Sequence, residues 1–287
     1  MEKFEIEIYR KKVFRTISRF KLIEKGDRIF IGLSGGKDSG AACYLISEYV
    51  RKRKVQCEII AFFIKLGDFI PEQVVETVRK QAEFCGVPFK LYNVKDFGID
   101  FKKLSQLPRP ICSSCGIIKR YLMNKIPREE NANKLCTGHH GDDFIVFFMK
   151  NIIGNNIDWI SKFTPLLQGR GKHISRIRPL FFVGGEENRK FCEEIKFPYI
   201  EEDICPYIFL KQKIDMRRKK WYETIEEIGK WQPNFREYMM KGILSLAERL
   251  NVMSDIPGEC EICGEPTDGE ICAFCKIVMQ MEKKSGN

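Results

Sequence analysis

The sequence predicts an α/β protein: a parallel sheet of about five strands with helices on both faces, a basic helical extension and a small metal-binding module. Three observations carry this. Apolar periodicity switches repeatedly between two and 3.6 residues up to about residue 180, the signature of alternating strands and helices. A glycine-rich loop joins the first strand directly to a helix. The 287 residues exceed a usual single domain and suit one large core with an appendage. Strands alternating with helices pair in parallel, because each helical crossover returns the chain to the same end of the sheet.

The elements follow in order. A helix from about Glu7 to Leu22 places Val13, Ile17 and Phe20 on one apolar face. Strand one is Arg28 to Leu33, followed by a helix from about Asp38 to Arg51. Strand two is Val55 to Lys65, the next helix Pro71 to Cys85, and strand three Phe89 to Val94. A helix from Cys112 to Asn124 precedes strand four, Lys134 to Thr137, and a helix from Asp142 to Ile153 follows it. Strand five is Ser175 to Leu180, at a proline-bounded apolar run. After about Asp203 strand patterning stops, and residues 208–250 read as helices rich in Lys, Arg, Trp and Tyr. The expected division is a basic helix (1–25), a catalytic domain (26–207), a helical extension (208–256) and a metal module (257–287). No repeat of 20 to 50 residues is visible, which excludes a solenoid.

Composition narrows the class. With 44% hydrophobic and 31% charged residues, the chain is neither disordered nor low-complexity. Its longest apolar runs, Ile59 to Ile64 and Phe144 to Met149, fall far short of the ~20 residues that span a bilayer. The opening MEKFEIEIYRKK lacks the apolar core of a signal peptide, so a cytoplasmic protein with no membrane partner is expected. The net charge of +10 favours a polyanionic partner. The excess concentrates in residues 10–21, in the RKRK of 51–54, and in residues 211–220, where Arg217, Arg218, Lys219 and Lys220 are consecutive. One such run is as well explained by a solvated helix face; three together point to nucleic acid. Twelve cysteines are too few for a disulfide scaffold, and CxxC spacing in a cytosolic chain points to metal binding or catalysis.

The loop Ser34, Gly35, Gly36, Lys37, Asp38, Ser39 stands between a strand and a helix. Its glycines allow successive N–H groups to converge on phosphate oxygens, and the helix N-terminus adds its positive dipole end. Neither the GxxxxGK[ST] nor the GxGxxG spacing is present. The loop resembles the SGGxDS signature of the PP-loop ATP pyrophosphatases. That resemblance implies an adenine nucleotide α-hydrolase-like fold and cleavage of ATP between the α and β phosphates, with Mg²⁺ screening the charge. It makes these six residues, with Gly138 in the later TGHHGDD segment, the ATP site.

Cys112, Cys115 and Lys119 fall at i, i+3 and i+7 of one helix and share a face. A lone CxxC is equally compatible with a redox pair or half a zinc site. Cys205 precedes Pro206, where a helix N-terminus would lower its pKa, or it is a small buried residue. Together with the loop, these cysteines resemble those of the tRNA 2-thiolation sulfurtransferases. The resemblance implies a 4Fe-4S cluster on Cys112, Cys115 and Cys205, with one iron open to exogenous sulfide; a persulfide and disulfide set is the alternative. TGHHGDDFIVFFMKN resembles the family's GHxxDD segment, which implies Lys119 and Asp143 as the catalytic residues near the base. Asp142 is expected to cap the helix, and His139 and His140 to pack or to bond the backbone. Phe144, Ile145 and Val146 replace the residues usual after the double Asp. Cys43, Cys57, Cys85, Cys136 and Cys192 occupy apolar positions and read as core.

Cys260, Cys263, Cys272 and Cys275 form CxxC, eight residues, CxxC, the spacing of a closed tetrahedral Zn²⁺ site whose metal drives its folding. Beside basic helices it suggests docking to RNA. Family members of the 2-thiouridine branch carry such a module at each end, whereas no cysteine here precedes Cys43. The reading is an ATP-dependent enzyme that adenylates the C2 oxygen of a pyrimidine in tRNA, uridine rather than cytidine, and replaces it with sulfur. The sulfur comes from sulfide or a sulfur-carrier protein. An amidating PP-loop enzyme and a non-catalytic zinc-dependent RNA-binding protein are the alternatives. The oligomeric state is left open, a homodimer being one arrangement.

Overall fold

The computed structural model describes residues 5–201, 205, 208–250 and 258–283, with side chains between 208 and 218 left aside. Its helices are α1 (Ile6–Arg19), α2 (Lys37–Arg53), α3 (Glu72–Cys85), α4 (Phe101–Leu104), α5 (Ile111–Glu129), α6 (Gly141–Ile153), α7 (Gly185–Glu194), α8 (Ile208–Trp231), α9 (Phe235–Arg249) and α10 (Ala273–Lys283). Its strands are β1 (Arg28–Gly32), β2 (Glu58–Lys65), β3 (Phe89–Asn93), β4 (Lys134–Cys136), β5 (Leu166–Leu167), β6 (Ser175–Ile177), β7 (Gly258–Glu259) and β8 (Pro266–Thr267).

The main sheet has six strands in the order β3-β2-β1-β4-β6-β5, all parallel except the antiparallel β5–β6 pair. The predicted parallel sheet is present, with one strand more than expected; β5 has two residues, too few for alternation to show. Strand two starts at Glu58 rather than Val55, because Lys54 turns left-handed (φ 51°) and the Val55 N–H closes α2 on the Val50 carbonyl at 3.1 Å. The strand expected over Ser175 to Leu180 is β6 and stops at Ile177: after one more in-register bond, from the Arg178 N–H to the Pro165 carbonyl at 2.9 Å, the chain turns, and the Phe181 N–H donates to the Arg178 carbonyl at 3.2 Å. Helix α5 runs past Asn124 to Glu129 and accommodates Pro127 in its last turn. Helices α4, α7 and α10 are additional to the expected set.

Ile29, Phe30 and Ile31 are buried, the unbroken apolar run of a strand covered on both faces. Tyr9, Val13 and Ile17 of α1 enter the same core, and a second cluster joins Phe144, Ile145 and Val146 of α6 to Ile225 of α8 and to Met240, Ile243 and Leu244 of α9. Each such side chain stabilises its docking by ~1.5–3 kcal/mol, so the extension packs as part of the body. Cys43, Cys85, Cys136 and Cys192 are buried as expected; Cys57 is only half-buried, against the core edge at the start of β2.

The chain progresses from β1 to β2 and β3 on one side and reaches β4 and β6 on the other. The crevice at the carboxyl ends of β1 and β4 is therefore a switch point, where open α/β sheets bind ligands. Among the described residues no helix is long and apolar enough to cross a membrane.

Candidate nucleotide and metal sites

The segments after β1 and β4 meet at this switch point. A Cβ on Gly138 would lie 2.6 Å from the Ser39 nitrogen and 2.8 Å from the Asp38 carbonyl carbon, so only glycine permits the approach. The loop Ser34–Ser39 is internally organised: the Ser34 and Ser39 hydroxyls lie 2.9 Å apart, the Ser34 N–H donates to the Ser39 hydroxyl at 3.1 Å, and Gly35 has φ +83°. Gln81 of α3 and the Ile200 N–H both donate to the Gly35 carbonyl, at 3.0 and 2.9 Å. Lys37 pairs with Asp38 at 2.9 Å. Helices α2 and α6 both begin here, and their amino ends favour an anion between them.

Asp38 is fixed from a distance in sequence. Asn188 of α7 donates to its carboxylate at 2.8 Å and accepts from the Tyr9 hydroxyl at 2.7 Å. The ring of buried His140 faces three carboxylates: Nε2 is 3.9 Å from Asp38 and 3.6 Å from Asp143, and Nδ1 is 3.7 Å from Asp142. His139 instead is exposed, with Nδ1 2.9 Å from the Thr137 hydroxyl and its ring beside Phe144 and Phe147.

The capping contact expected of Asp142 is made by Asp143. His140 is the residue before the helix, with extended backbone, and its N–H donates to Asp143 at 3.2 Å. Asp143, at the third helical position, thus makes the capping contact expected of Asp142. Asp142 accepts from Arg236 of α9 and from the Gly185 N–H at 2.9 Å, tying α6 to α7 and α9. The Tyr222 hydroxyl of α8 donates to the other Asp143 oxygen. Burial alone would raise the Asp143 pKa; His140, His139, Tyr222 and the His140 N–H together hold it below the ordinary carboxylate value.

On α5, Cys112 and Cys115 are the second and fifth helical residues, half-buried against the core, and Lys119 follows on the same face, exposed. Met123 of this helix reaches Gly32 at the end of β1, so α5 lies against the strand that carries the loop. Cys205 is half-buried, and α8 begins three residues after it, at Ile208. Among the described residues, only the C-terminal cysteines form a group whose ligand atoms lie within 4.8 Å of one another. Cys112, Cys115 and Cys205 are not so closely grouped.

Cys260, Cys263, Cys272 and Cys275 fit a single tetrahedral ion. The Cys263 and Cys272 sulfurs are 3.7 Å apart, close to the ~3.8 Å edge of a tetrahedron with metal–sulfur bonds of ~2.3 Å. Burial opposes ionisation of Cys260, but N–H groups of Cys272, Cys263 and Ile262 bring its pKa down to about 6. The β7–β8 ribbon and α10 carry these ligands, and the module packs on α5: the Tyr121 and Phe274 rings stack at 3.8 Å, and buried Glu265 pairs with Arg128 and, at 3.7 Å, with Lys125. Lys172 donates to Glu259 and to the Gly264 carbonyl, each at 2.8 Å. The metal module is thus a clamp on the helix that bears Cys112 and Cys115.

Lys219 and Lys220 are exposed on α8, and Lys219 lies 3.8 Å from Glu223. The side chains of Arg217 and Arg218 lie outside the described ones. Gln81, Asn188, Tyr222 and Arg236 have no motif to announce them; each reaches the site from an element distant in sequence.

A family model described as the PP-loop domain matches residues 7–204. The chain is 32% identical over 277 residues to the tRNA-5-methyluridine(54) 2-sulfurtransferase of Pyrococcus horikoshii, covering 94% of this chain and 84% of that one. It is 27% identical over 238 residues to the tRNA-cytidine(32) 2-sulfurtransferase of Geotalea daltonii, covering 83% and 91%. Among solved structures, the U34-tRNA thiolase NcsA from Methanococcus maripaludis with its 4Fe-4S cluster is similar, with a TM-score of 0.78, 27% identity and coverage of 95% of this chain and 86% of that one.

Proposed function

This chain belongs to the PP-loop tRNA 2-thiolation family, and from that premise we propose that it is an ATP-dependent sulfurtransferase acting on the C2 position of a uridine in tRNA. The observation that carries the reading is the contact of Gly138 with the Asp38–Ser39 backbone. It brings the phosphate loop and the Asp142–Asp143 segment into one crevice, where an activated nucleotide would face acids on α6. The uridine preference is supported by the Pyrococcus relative, whose name specifies 5-methyluridine 54.

Ser34 to Ser39 and Gly138 hold ATP, with the amides of Gly35 and Gly36, Lys37 and the α2 dipole on its pyrophosphate end, where Mg²⁺ adds screening. The C2 oxygen of the base attacks the α phosphorus, the α–β bond breaks and pyrophosphate leaves. A sulfur nucleophile of the sulfide class then adds at C2, and AMP departs with the former C2 oxygen; no electron acceptor or donor is needed. Asp143 and Lys119 orient the base, and the Asp143 carboxylate takes up the proton released as the C–S bond forms. A cluster on Cys112, Cys115 and Cys205 supplies, when bound, an iron with an open position for sulfide. Zn²⁺ is the ion suited to Cys260, Cys263, Cys272 and Cys275. The basic run Arg217–Lys220 contacts tRNA phosphates, and the target nucleotide must leave its stack to expose C2. On this reading the catalytic body spans 26–207, preceded by the basic helix of 1–25, with the extension over 208–256 and the metal module over 257–287.

The test is mass analysis of tRNA nucleosides from a strain lacking the gene. One 2-thiouridine species should vanish and return with the wild-type gene. Loss of 2-thiocytidine instead would overturn the base assignment, and an unchanged nucleoside profile would overturn thiolation.

A further inference from the structure

Helix α8 carries two kinds of group within about two turns. Lys219 and Lys220 project into solvent, while Trp221, Tyr222 and buried Ile225 pack against the cluster formed with α6 and α9. The Tyr222 hydroxyl donates to Asp143 Oδ1, and the His140 N–H donates to Oδ2 at 3.2 Å. The Tyr222 ring stands 6.5 Å from that of His140. Donors on both oxygens from two different elements fix the plane of the carboxylate as well as its position.

Building on the thiolation reading, we propose that Tyr222 is a positioning residue for Asp143, holding its carboxylate in the orientation presented to the base. The helix assigned to the tRNA backbone thereby also sets the geometry of the chemical step. The two contributions separate: Lys219 and Lys220 act on affinity, and Tyr222 acts on turnover after tRNA has bound. Among the described residues, the charged and titratable groups around Asp143 include His139 and His140 of the preceding loop, Asp38 of α2, Asp142 with its partner Arg236 of α9, and Tyr222 itself. Of these, Tyr222 is the neutral donor whose hydroxyl can be deleted while its ring is kept.

The experiment compares wild type with Tyr222→Phe, retaining both metals, in single-turnover thiolation over a range of pH with tRNA affinity measured in parallel. The expected result is a fall in the thiolation rate of about 10-fold or more, as for a misoriented catalytic group, with tRNA Kd within about twofold. The acid limb of the rate profile should move to higher pH, because a donor that favours the carboxylate has been removed. Asp143→Asn and the double variant complete the cycle: Tyr222→Phe should cost little more once Asp143 is gone, whereas additive losses would overturn the proposal. A Tyr222→Phe enzyme with the wild-type rate and pH profile would also overturn it. A wild-type enzyme that forms no thionucleoside would overturn the thiolation reading and this inference together, a result distinct from an active wild type indifferent to Tyr222.

Discussion

Gly138 sits so close to Ser39 that a Cβ at 138 would come within 2.6 Å of the Ser39 backbone nitrogen. The loop after β4 and the loop after β1 therefore share one rigid contact, and relief of the clash must displace backbone rather than a flexible side chain. Gly138→Ala is expected to cut ATP-to-AMP turnover by about 10²-fold through misplacement of the phosphate loop, at a stability cost of ~1–3 kcal/mol. Pyrophosphate release and the melting temperature check the two effects; iron and zinc contents should not change.

The Asp142–Arg236 pair ties α6 to α9 with Asp142 buried and Arg236 partly exposed. Arg236→Ala strands a carboxylate beside Asp143 and His140. Because Arg236 is only partly buried, the loss should be about 2–3 kcal/mol, below the ~3–5 kcal/mol of a fully buried pair. Denaturant unfolding of Arg236→Ala and Arg236→Lys measures it, with the lysine variant expected to lose less.

The two cysteine sets should titrate separately. Anaerobic protein is expected to hold about four irons and one zinc per chain. Cys112→Ala, Cys115→Ala or Cys205→Ala should lose iron and keep zinc. Cys263→Ala or Cys272→Ala should lose zinc and loosen the Tyr121–Phe274 seam, seen as faster hydrogen exchange in α5 and α10. Metal analysis showing iron retained in all three of the first variants would refute their assignment as ligands.

Neutralising Arg217, Arg218, Lys219 and Lys220 should reduce the slope of log Kd for tRNA against log salt by about 0.7–0.9 for each phosphate no longer neutralised by the protein. Fluorescence anisotropy over a salt series reads this directly. An unchanged slope would make the run a solvated helix face.

What could be read from the sequence was local. Ser34 to Ser39 and the four C-terminal cysteines lie within short segments, so spacing alone conveyed their geometry, and the strong periodicity of β1, β2 and α2 placed the sheet. Contacts across the chain left no such mark: Tyr222 and Asp143 are 79 positions apart, Asn188 and Asp38 150. Which of Asp142 and Asp143 makes the capping contact turned on backbone geometry. Extended His140 became the residue before the helix and brought Asp143, not Asp142, back to its N–H. The docking of the metal module on α5 rests on Glu265 and Phe274, whose partners lie more than a hundred residues earlier.

ATP-driven exchange of a uridine C2 oxygen for sulfur can be followed directly by incubating anaerobically reconstituted protein with ATP, Mg²⁺, sulfide and tRNA and quantifying nucleosides and nucleotides together. 2-Thiouridine and AMP should form in equal amounts, with both lost in Lys37→Ala and Asp38→Ala while iron and zinc remain. ADP in place of AMP, or AMP without any thionucleoside, would contradict that exchange.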